Sequence, residues 1–379
     1  MDLSSLFLLL IPKKKGLVLF TSWFGNKYID NSKYVYEYML SDPNCHPIWM
    51  TKRKDIYMDL RRANKPVEFF GSLRGILLQL RAQVVVSSVQ YADYNTWLLK
   101  NTVFLDLGHG HPIKDPGMVL NDRYLKDVYI QISKRVNYFA IVSSLKSKEE
   151  YNVVPISKDH IYIGDYARND VFDDPELRNG KNGVVASFKK GRKAIVYMPT
   201  HRSDGNKNMH MQDILPLDDI QKFCEDNNNV FIIKKHYYHR DETEDLLKYP
   251  NILDITQIDD IDPQVLLYQA DVLISDYSAC YIDYMLLKRP LIFFQYDINE
   301  FQNSERKLYY DFEKIDIAPV VYDKKTLIKV MKNVVSSEDV YLSNRMLFAK
   351  NNYFDNVGKQ EGRKNASKVI MSLLKKYGK

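Results

Sequence analysis

Three cysteines in 379 residues, Cys45, Cys224 and Cys280, are too few and too scattered for a disulfide framework, and none has metal-ligand spacing. They read as ordinary thiols of a reducing compartment. Long hydrophobic runs are also scarce. Leu6 to Ile11 is apolar but stops at Pro12, far short of the roughly 20 residues that cross a bilayer, and it lacks a signal-peptide layout. With Lys13-Lys14-Lys15 behind it, this run has two readings. It could rest against anionic lipid, where each lysine contributes roughly 1 kcal/mol, or form a short terminal helix packed on the body. Neither makes a transmembrane protein. Charge of one sign is nearly balanced, 54 basic against 48 acidic residues for a net +6. That fits an anionic small molecule or an acidic membrane better than a nucleic-acid track, and no nucleic-acid module is present. There is no Walker-type Gly-Lys-Ser/Thr, and Gly108-His109-Gly110 does not continue into a dinucleotide loop. No fixed repeat or low-complexity segment appears.

What is present is globular: 45% hydrophobic and 27% charged, with 28 Tyr against 17 Phe. Tyrosine suits surfaces where an apolar body keeps a wet tip, though packing alone accounts for it. The length is comfortable for two domains. Strand-like runs at Gly16–Thr21, His46–Thr51, Val84–Ser87, Val103–Leu105 and Tyr138–Ser144 alternate with helical stretches such as Tyr34–Leu40 and Gly75–Leu80. A second alternation runs through Lys193–Thr200, Val230–Lys234, Ala270–Ile274 and Pro290–Phe294, with helices at Asp218–Glu225, Pro263–Gln269 and Tyr281–Leu287. Such alternation predicts parallel sheets covered on both faces. The polar segment Asp173–Arg192 is the best linker in the chain, and part of it is compatible with a helix. The reading is therefore an α/β protein with an N-terminal Rossmann-like domain over 1–175 and a C-terminal one over 176–379. The last helix, near Lys364–Lys376, is free to pack back on the first domain.

Chemistry collects in loops after predicted strands, where ligands of parallel sheets usually bind. Asp106-Leu107-Gly108-His109-Gly110-His111-Pro112-Ile113-Lys114 closes an apolar run with a glycine-broken turn. An imidazole there suits proton transfer, and two histidines with Lys114 suggest a basic pocket; a polar loop with incidental histidines is the bland alternative. Four further loops carry Arg168-Asn169-Asp170, Thr200-His201-Arg202, Lys234-Lys235-His236 and Ser275-Asp276-Tyr277-Ser278. Arginine forks and lysines hold phosphate, and hydroxyls ahead of a helix make an anion site, so the set reads as a cradle for a pyrophosphate. Each member has a plainer reading. Ser275 and Ser278 could merely cap a helix, Arg202 could be a surface ion-pair member, and His236 and especially His239 could be exposed and inert. Asp276 and Asp283 could share one helix face or be a loop acid and a satisfied helix acid. A metal site from His109, His111 and a carboxylate is conceivable, although the spacing is not a strong zinc signature.

The ordered set resembles the CDP-glycerol glycerophosphotransferase family of teichoic-acid and capsule-type polymer synthesis. It rests on Ser22-Trp23-Phe24-Gly25-Asn26, His109-Gly110-His111-Pro112-Ile113-Lys114, Arg168-Asn169-Asp170, Tyr197-Met198-Pro199-Thr200-His201-Arg202, Lys235-His236 and Ser275-Asp276-Tyr277-Ser278. Asp283, Lys288-Arg289-Pro290 and Tyr310-Asp311-Phe312 extend it over nearly the whole chain. The resemblance implies a GT-B-like fold, two Rossmann-type domains facing a central cleft, with the C-terminal one binding CDP-glycerol. It implies a peripheral enzyme at the cytoplasmic face of the cell membrane, working against an anionic surface on an undecaprenyl-linked or polymeric polyol-phosphate acceptor. A homo-oligomer is compatible with it; nucleic acid is not among the partners. By resemblance His109 matches the catalytic base, while His236, Arg202, Ser275 and Ser278 fall in the donor phosphate site; His109, His236 and Asp276 are taken as the catalytic set. Lys114, Arg168, Asn169, Thr200, Arg202, Lys235, Ser275, Ser278 and Asp283 are then expected around the donor. Two positions depart from the family pattern: His111 stands where Thr is usual, and Ala167 where Pro is usual.

The reaction implied is attack of an acceptor hydroxyl on the glycerol-bearing β-phosphorus of CDP-glycerol, with CMP leaving and no firm cofactor requirement. A divalent cation such as magnesium would suit the phosphates, although a basic cradle does not demand one. The competing readings are a ribitol- or other polyol-phosphate transferase, a GT-B nucleotide-sugar glycosyltransferase, and a non-catalytic protein that binds anionic polymers.

Overall fold

The computed structural model describes residues 11–89, 93–111, 130, 135–150, 156–202, 210–236, 239, 246–258, 261–304, 308 and 310–377. Leu6 to Leu10 and Lys114 therefore lie outside the described residues. Two compact units emerge. Among the described residues, the first takes those up to His111, those from Ile130 to Asp170 and those from Phe354 onward; the second is Val171–Tyr353.

The first unit runs β1 (Leu17–Phe20), α1 (Asp30–Met39), β2 (His46–Thr51), α2 (Lys54–Arg62), β3 (Val67–Phe69), α3 (Leu73–Arg81), β4 (Val84–Ser87), β5 (Val103–Asp106), β6 (Asn137–Val142), α4 (Leu145–Glu150) and β7 (Ile161–Ile163). Its strands form one parallel sheet in the order β3-β2-β1-β4-β5-β6-β7. β1, β4 and β5 are buried at every position, because a parallel sheet covered on both faces needs unbroken Val/Leu runs rather than alternation. Strand order reverses between β1 and β4, so the loops after β1, β4 and β5 share the sheet's switch point.

The second unit runs α5 (Gly183–Lys189), β8 (Lys193–Met198), α6 (Met211–Ile214), α7 (Leu217–Asp226), β9 (Asn229–Ile233), β10 (Ile252–Asp254), α8 (Pro263–Gln269), β11 (Val272–Ser275), α9 (Cys280–Met285), β12 (Leu291–Phe294), α10 (Ile298–Ser304), α11 (Phe312–Ile315), β13 (Val320–Val321), α12 (Lys324–Ser336) and α13 (Leu342–Asn352). Its sheet is also parallel, β10-β9-β8-β11-β12-β13, reversing at β8 and β11. One core face gathers Ile195, Phe231, Ile274 and Phe294 against Ile220 and Phe223 of α7. The last helix, α14 (Gly362–Tyr377), packs on α1 in the first unit. Its start is fastened by buried Asp170, which accepts from the Gly362 and Arg363 amides at 2.7 and 3.0 Å.

Two expectations change. Asp173–Arg192 is no linker: it carries α5, and Asn182 exchanges hydrogen bonds of 2.9 and 2.8 Å with the Asp262 backbone. The division falls just ahead of it, after Asp170. Nor do all three lysines of Lys13-Lys14-Lys15 face outward. Lys13 Nζ turns in to donate to the Leu80 carbonyl (2.9 Å) and Thr102 Oγ1 (2.7 Å), and burial pulls its pKa down to about 8. Among the described residues no helix is long and apolar enough to cross a membrane.

Candidate active site

In the first unit the switch-point loops converge on His109. Gly108 turns the chain out of β5 with φ +65°, a conformation that suits glycine, and its amide donates to Asp106 Oδ1 at 2.9 Å. The exposed His109 ring follows, with Nδ1 3.0 Å from the Ser88 carbonyl oxygen after β4. A carbonyl can only accept, so Nδ1 is the donor in this pair and Nε2 is the nitrogen left to act as a base. Trp23, from the loop after β1, meets the imidazole edge-on at 5.7 Å.

Buried polar groups fix this arrangement from beneath. Arg168 donates to the His109 carbonyl at 2.6 Å and to Asp30 Oδ1 at 3.0 Å. Asp30 accepts the Trp23 indole N–H at 3.1 Å. Asn31 Nδ2 donates to the Leu107 and Gly108 carbonyls at 3.0 and 2.9 Å. Asp93 ties the neighbouring loops together, accepting from Ser87 Oγ, the Ser88 and Val89 amides and the Phe24 amide at 2.6–3.0 Å. None of Asp30, Asn31 or Asp93 was expected at the site.

Three expectations for this unit need correction. Arg168 was expected to grip the donor, but it is buried and paired with Asp30, so it positions His109 instead. Asn169 is fully buried, with its amide bonded to the Tyr166 carbonyl. His111 does not join His109 in a basic pocket: it is buried between Tyr166 and Phe354, with Nδ1 3.1 Å from Ser143 Oγ.

In the second unit the loops after β8, β9 and β11, three adjacent strands, carry the expected groups. Asp276 is wholly buried and is the knot of the turn. Its Oδ1 accepts from the Thr200 amide (2.8 Å), Thr200 Oγ1 (2.7 Å) and the Tyr277 amide (2.5 Å), and its Oδ2 from Arg202 (2.9 Å). Arg202 also forks onto Asp297 at 2.8 and 3.0 Å and donates to the Thr200 carbonyl at 2.7 Å. Burial works against its charge, but Asp276 and Asp297 outweigh it and hold its pKa above the ordinary value. Asp276 is thus corrected from catalytic group to scaffold, and Arg202 from phosphate ligand to the cation that neutralises two buried acids. Asp283 sits buried inside α9 and accepts from Gln264 at 3.2 Å, so it is a satisfied helix acid and shares no face with Asp276.

The exposed rim above this knot differs from the buried set. Thr200, His201, His236 and Ser278 are all partly exposed, whereas Ser275 is buried, its hydroxyl donating to the Met198 carbonyl at 3.1 Å. Lys235 is buried too, with its amide bonded to Thr256 Oγ1 at 2.9 Å. His201 and His236 stack with centroids 5.4 Å apart, and His201 Nδ1 lies 3.1 Å from His239 Nε2. His239, expected to be exposed, is buried behind the pair. His201, missing from the expected site, was legible only as the residue between Thr200 and Arg202. No group of three or more His, Cys, Asp or Glu among the described residues is arranged to hold a metal ion. The described carboxylates beside the rim, Asp276 and Asp297, are both engaged by Arg202, so the described residues do not fit a protein-held magnesium ion.

Residues 3–374 match the family model described as CDP-Glycerol:Poly(glycerophosphate) glycerophosphotransferase. The chain belongs to that family. It is 27% identical over 353 residues to the teichoic acid glycerol-phosphate transferase of Staphylococcus aureus (strain NCTC 8325 / PS 47), covering 88% of each chain. It is also 27% identical over 385 residues to the teichoic acid poly(glycerol phosphate) polymerase of Bacillus subtilis (strain 168), where 96% of this chain spans 49% of the relative. Its fold is shared by the wall teichoic acid polymerase TagF, with a TM-score of 0.79 at 22% identity over 97% of this chain and 91% of that one. The α/β architecture with two parallel sheets is that of this fold, and the chain is a phosphotransferase.

Proposed function

We propose that this chain moves glycerol phosphate from CDP-glycerol to a hydroxyl of a lipid-linked saccharide or of a poly(glycerol phosphate) end, releasing CMP. It does so at the cytoplasmic face of the cell membrane, bound peripherally, and its two units adopt the GT-B arrangement around a cleft. The observation that carries the reading is the placement of His109: with Nδ1 3.0 Å from the Ser88 carbonyl oxygen, Nε2 is available as a base at an exposed position. The family supplies the donor, and the exposed rim of the second unit supplies neutral donors and imidazoles suited to its diphosphate.

The acceptor hydroxyl attacks the β-phosphorus as Nε2 takes its proton, a new P–O bond forms, and the bond to the CMP oxygen breaks with its electron pair leaving on CMP. His236, His201, Thr200 and Ser278 stabilise charge on the phosphates and the departing CMP. The mechanism requires the acceptor at His109 and the donor at this rim to meet in one complex.

The test is His109→Asn, assayed separately for CDP-glycerol binding and for CMP release with acceptor. Turnover should fall by about 10²–10⁴, the usual contribution of a positioned base, with donor binding retained. Undiminished turnover would remove His109 as the base. A donor panel including CDP-ribitol and a UDP-sugar identifies the nucleotide released, and release of UDP rather than CMP would move the chain to a glycosyltransferase.

A further inference from the structure

Helix α3 turns much of its apolar side outward. Leu78 packs on the core, but the fully buried positions are Gly75 and Gln79, the smallest residue and a polar one. Gly75 lies so close to the Phe69 backbone that a Cβ would fall 1.8 Å from its carbonyl oxygen. The Gln79 amide donates inward to the Phe70 and Gly75 carbonyls, both at 3.2 Å. Meanwhile Leu73, Ile76 and Leu77, at the i, i+3, i+4 spacing of one face, are 89%, 36% and 48% exposed. A helix on a water-facing surface places such residues on the opposite side.

The surroundings of this face are specific. Trp97, 60% exposed, lies in a short 3-10 turn (Thr96–Leu98) packed against α3, and the Arg135 guanidinium sits 3.5 Å above its ring. At the other end the Lys14 amide donates to the Arg81 carbonyl at 2.8 Å, which places exposed Lys14 and Lys15 beside the end of α3. The helix sequence Leu73–Arg81 contains two arginines and no acid. Of these, Arg74 leans on Glu68 at 3.4 Å, so among the described residues the positive charge without an acidic partner lies with Arg81, Lys14, Lys15 and Arg135.

We propose that the α3 face, with Trp97, is the surface by which this chain rests on an anionic lipid bilayer. Leucines and an indole enter the headgroup boundary while the flanking cations meet lipid phosphates. A second copy of the chain is a poorer occupant, because self-docking would bring the same cations face to face. This deepens the membrane-bound reading above by assigning the surface responsible.

The test uses the full chain with phosphatidylcholine vesicles, with and without phosphatidylglycerol. Binding should require the anionic lipid and weaken as salt rises. Leu73→Gln combined with Leu77→Gln should lower the partition coefficient by about tenfold or more, since both leucines are exposed and leave the fold intact by circular dichroism. Lys14→Gln combined with Lys15→Gln should lower it by roughly thirtyfold, chiefly on anionic vesicles. Wild-type binding that ignores phosphatidylglycerol, or leucine variants that bind as wild type, would overturn the assignment. A dimer lost in the leucine variants would overturn it in favour of a second copy. Vesicle binding is read without turnover, so failure of glycerol phosphate transfer to a soluble acceptor would count against the proposed activity alone.

Discussion

Replacing Arg168 with methionine separates two roles for this arginine. If it holds the His109 loop from beneath, the variant loses a buried ion pair whose side chains are 8% and 6% exposed, together with the 2.6 Å bond to the His109 carbonyl. Removing one partner of a buried pair typically costs about 3–5 kcal/mol. Asp30 keeps the Trp23 indole at 3.1 Å and the Asn31 amide at 2.9 Å, which favours the lower end, about 3 kcal/mol. For a unit of this size that corresponds to a fall in Tm of roughly 6–12 °C. Turnover should fall by about a hundredfold, the usual penalty for a catalytic group displaced by an ångström or so, while the KM for CDP-glycerol stays near wild type.

The assays are thermal unfolding followed by circular dichroism, and initial rates of CMP release at varied donor. Adding Asp30→Asn closes a double-mutant cycle, and the pair should cost about 1–3 kcal/mol less than the sum of the singles. Arg168→Lys should fall between, because one ammonium cannot reproduce the fork between a carboxylate and a carbonyl. If Arg168 instead grips a donor phosphate, the methionine variant melts as wild type and raises KM. That result would refute the positioning role.

Asp276→Asn should destabilise the second unit by about 2–5 kcal/mol in urea unfolding, because the amide turns a donor toward Arg202; lost turnover at full stability would restore Asp276 as a catalytic group. Gly75→Ala should lower stability by about 2–4 kcal/mol despite a gain near 1 kcal/mol in helix propensity, since its Cβ would strike the Phe69 carbonyl; an unchanged Tm would show that α3 shifts freely. Lys13 has a folded pKa near 8, below its unfolded value of 10.5, so the folded state binds fewer protons between these limits. Its burial cost is complete below pH 8 and fades as pH rises, so stability relative to Lys13→Met should climb by about 1–2 kcal/mol between pH 7.5 and 10, after allowance for solvent screening. A flat difference would mean that Lys13 is not buried as a cation.

The sheets were legible because Val84-Val85-Val86 and Val230-Phe231-Ile232-Ile233 are runs that only a two-sided parallel sheet buries, and both lie in strands buried throughout. Each chemical motif could be placed after a strand, and the loops stand there. Which side chains face water was not legible. Arg168 and Arg202 look like phosphate ligands because their partners, Asp30 and Asp297, lie 138 and 95 residues away in sequence. Asp93 carried no signal at all, since its role is to accept four donors from loops after β1 and β4. The outward face of α3 was concealed for the opposite reason: its apolar spacing matches that of an ordinary core-facing helix, and it takes the contact of Gly75 with Phe69 and the inward bonds of Gln79 to show which side is in.

One device recurs in both units. A buried arginine pairs with a buried aspartate and donates to a loop carbonyl, that of His109 in the first unit and of Thr200 in the second. In each case the carbonyl belongs to a residue whose own side chain is at least partly exposed, His109 in the first unit and Thr200 in the second. A guanidinium is suited to this work because its planar fork serves a carboxylate and a carbonyl together and stays charged at any working pH. The ion pair keeps its own charge compensated below the surface, and in the second unit the partly exposed Thr200, His201, His236 and Ser278 lie above it. That arrangement suits a reaction in which CMP must depart carrying negative charge: hydroxyls and imidazoles fixed by a charged scaffold can donate to the departing phosphate in the transition state and still release it.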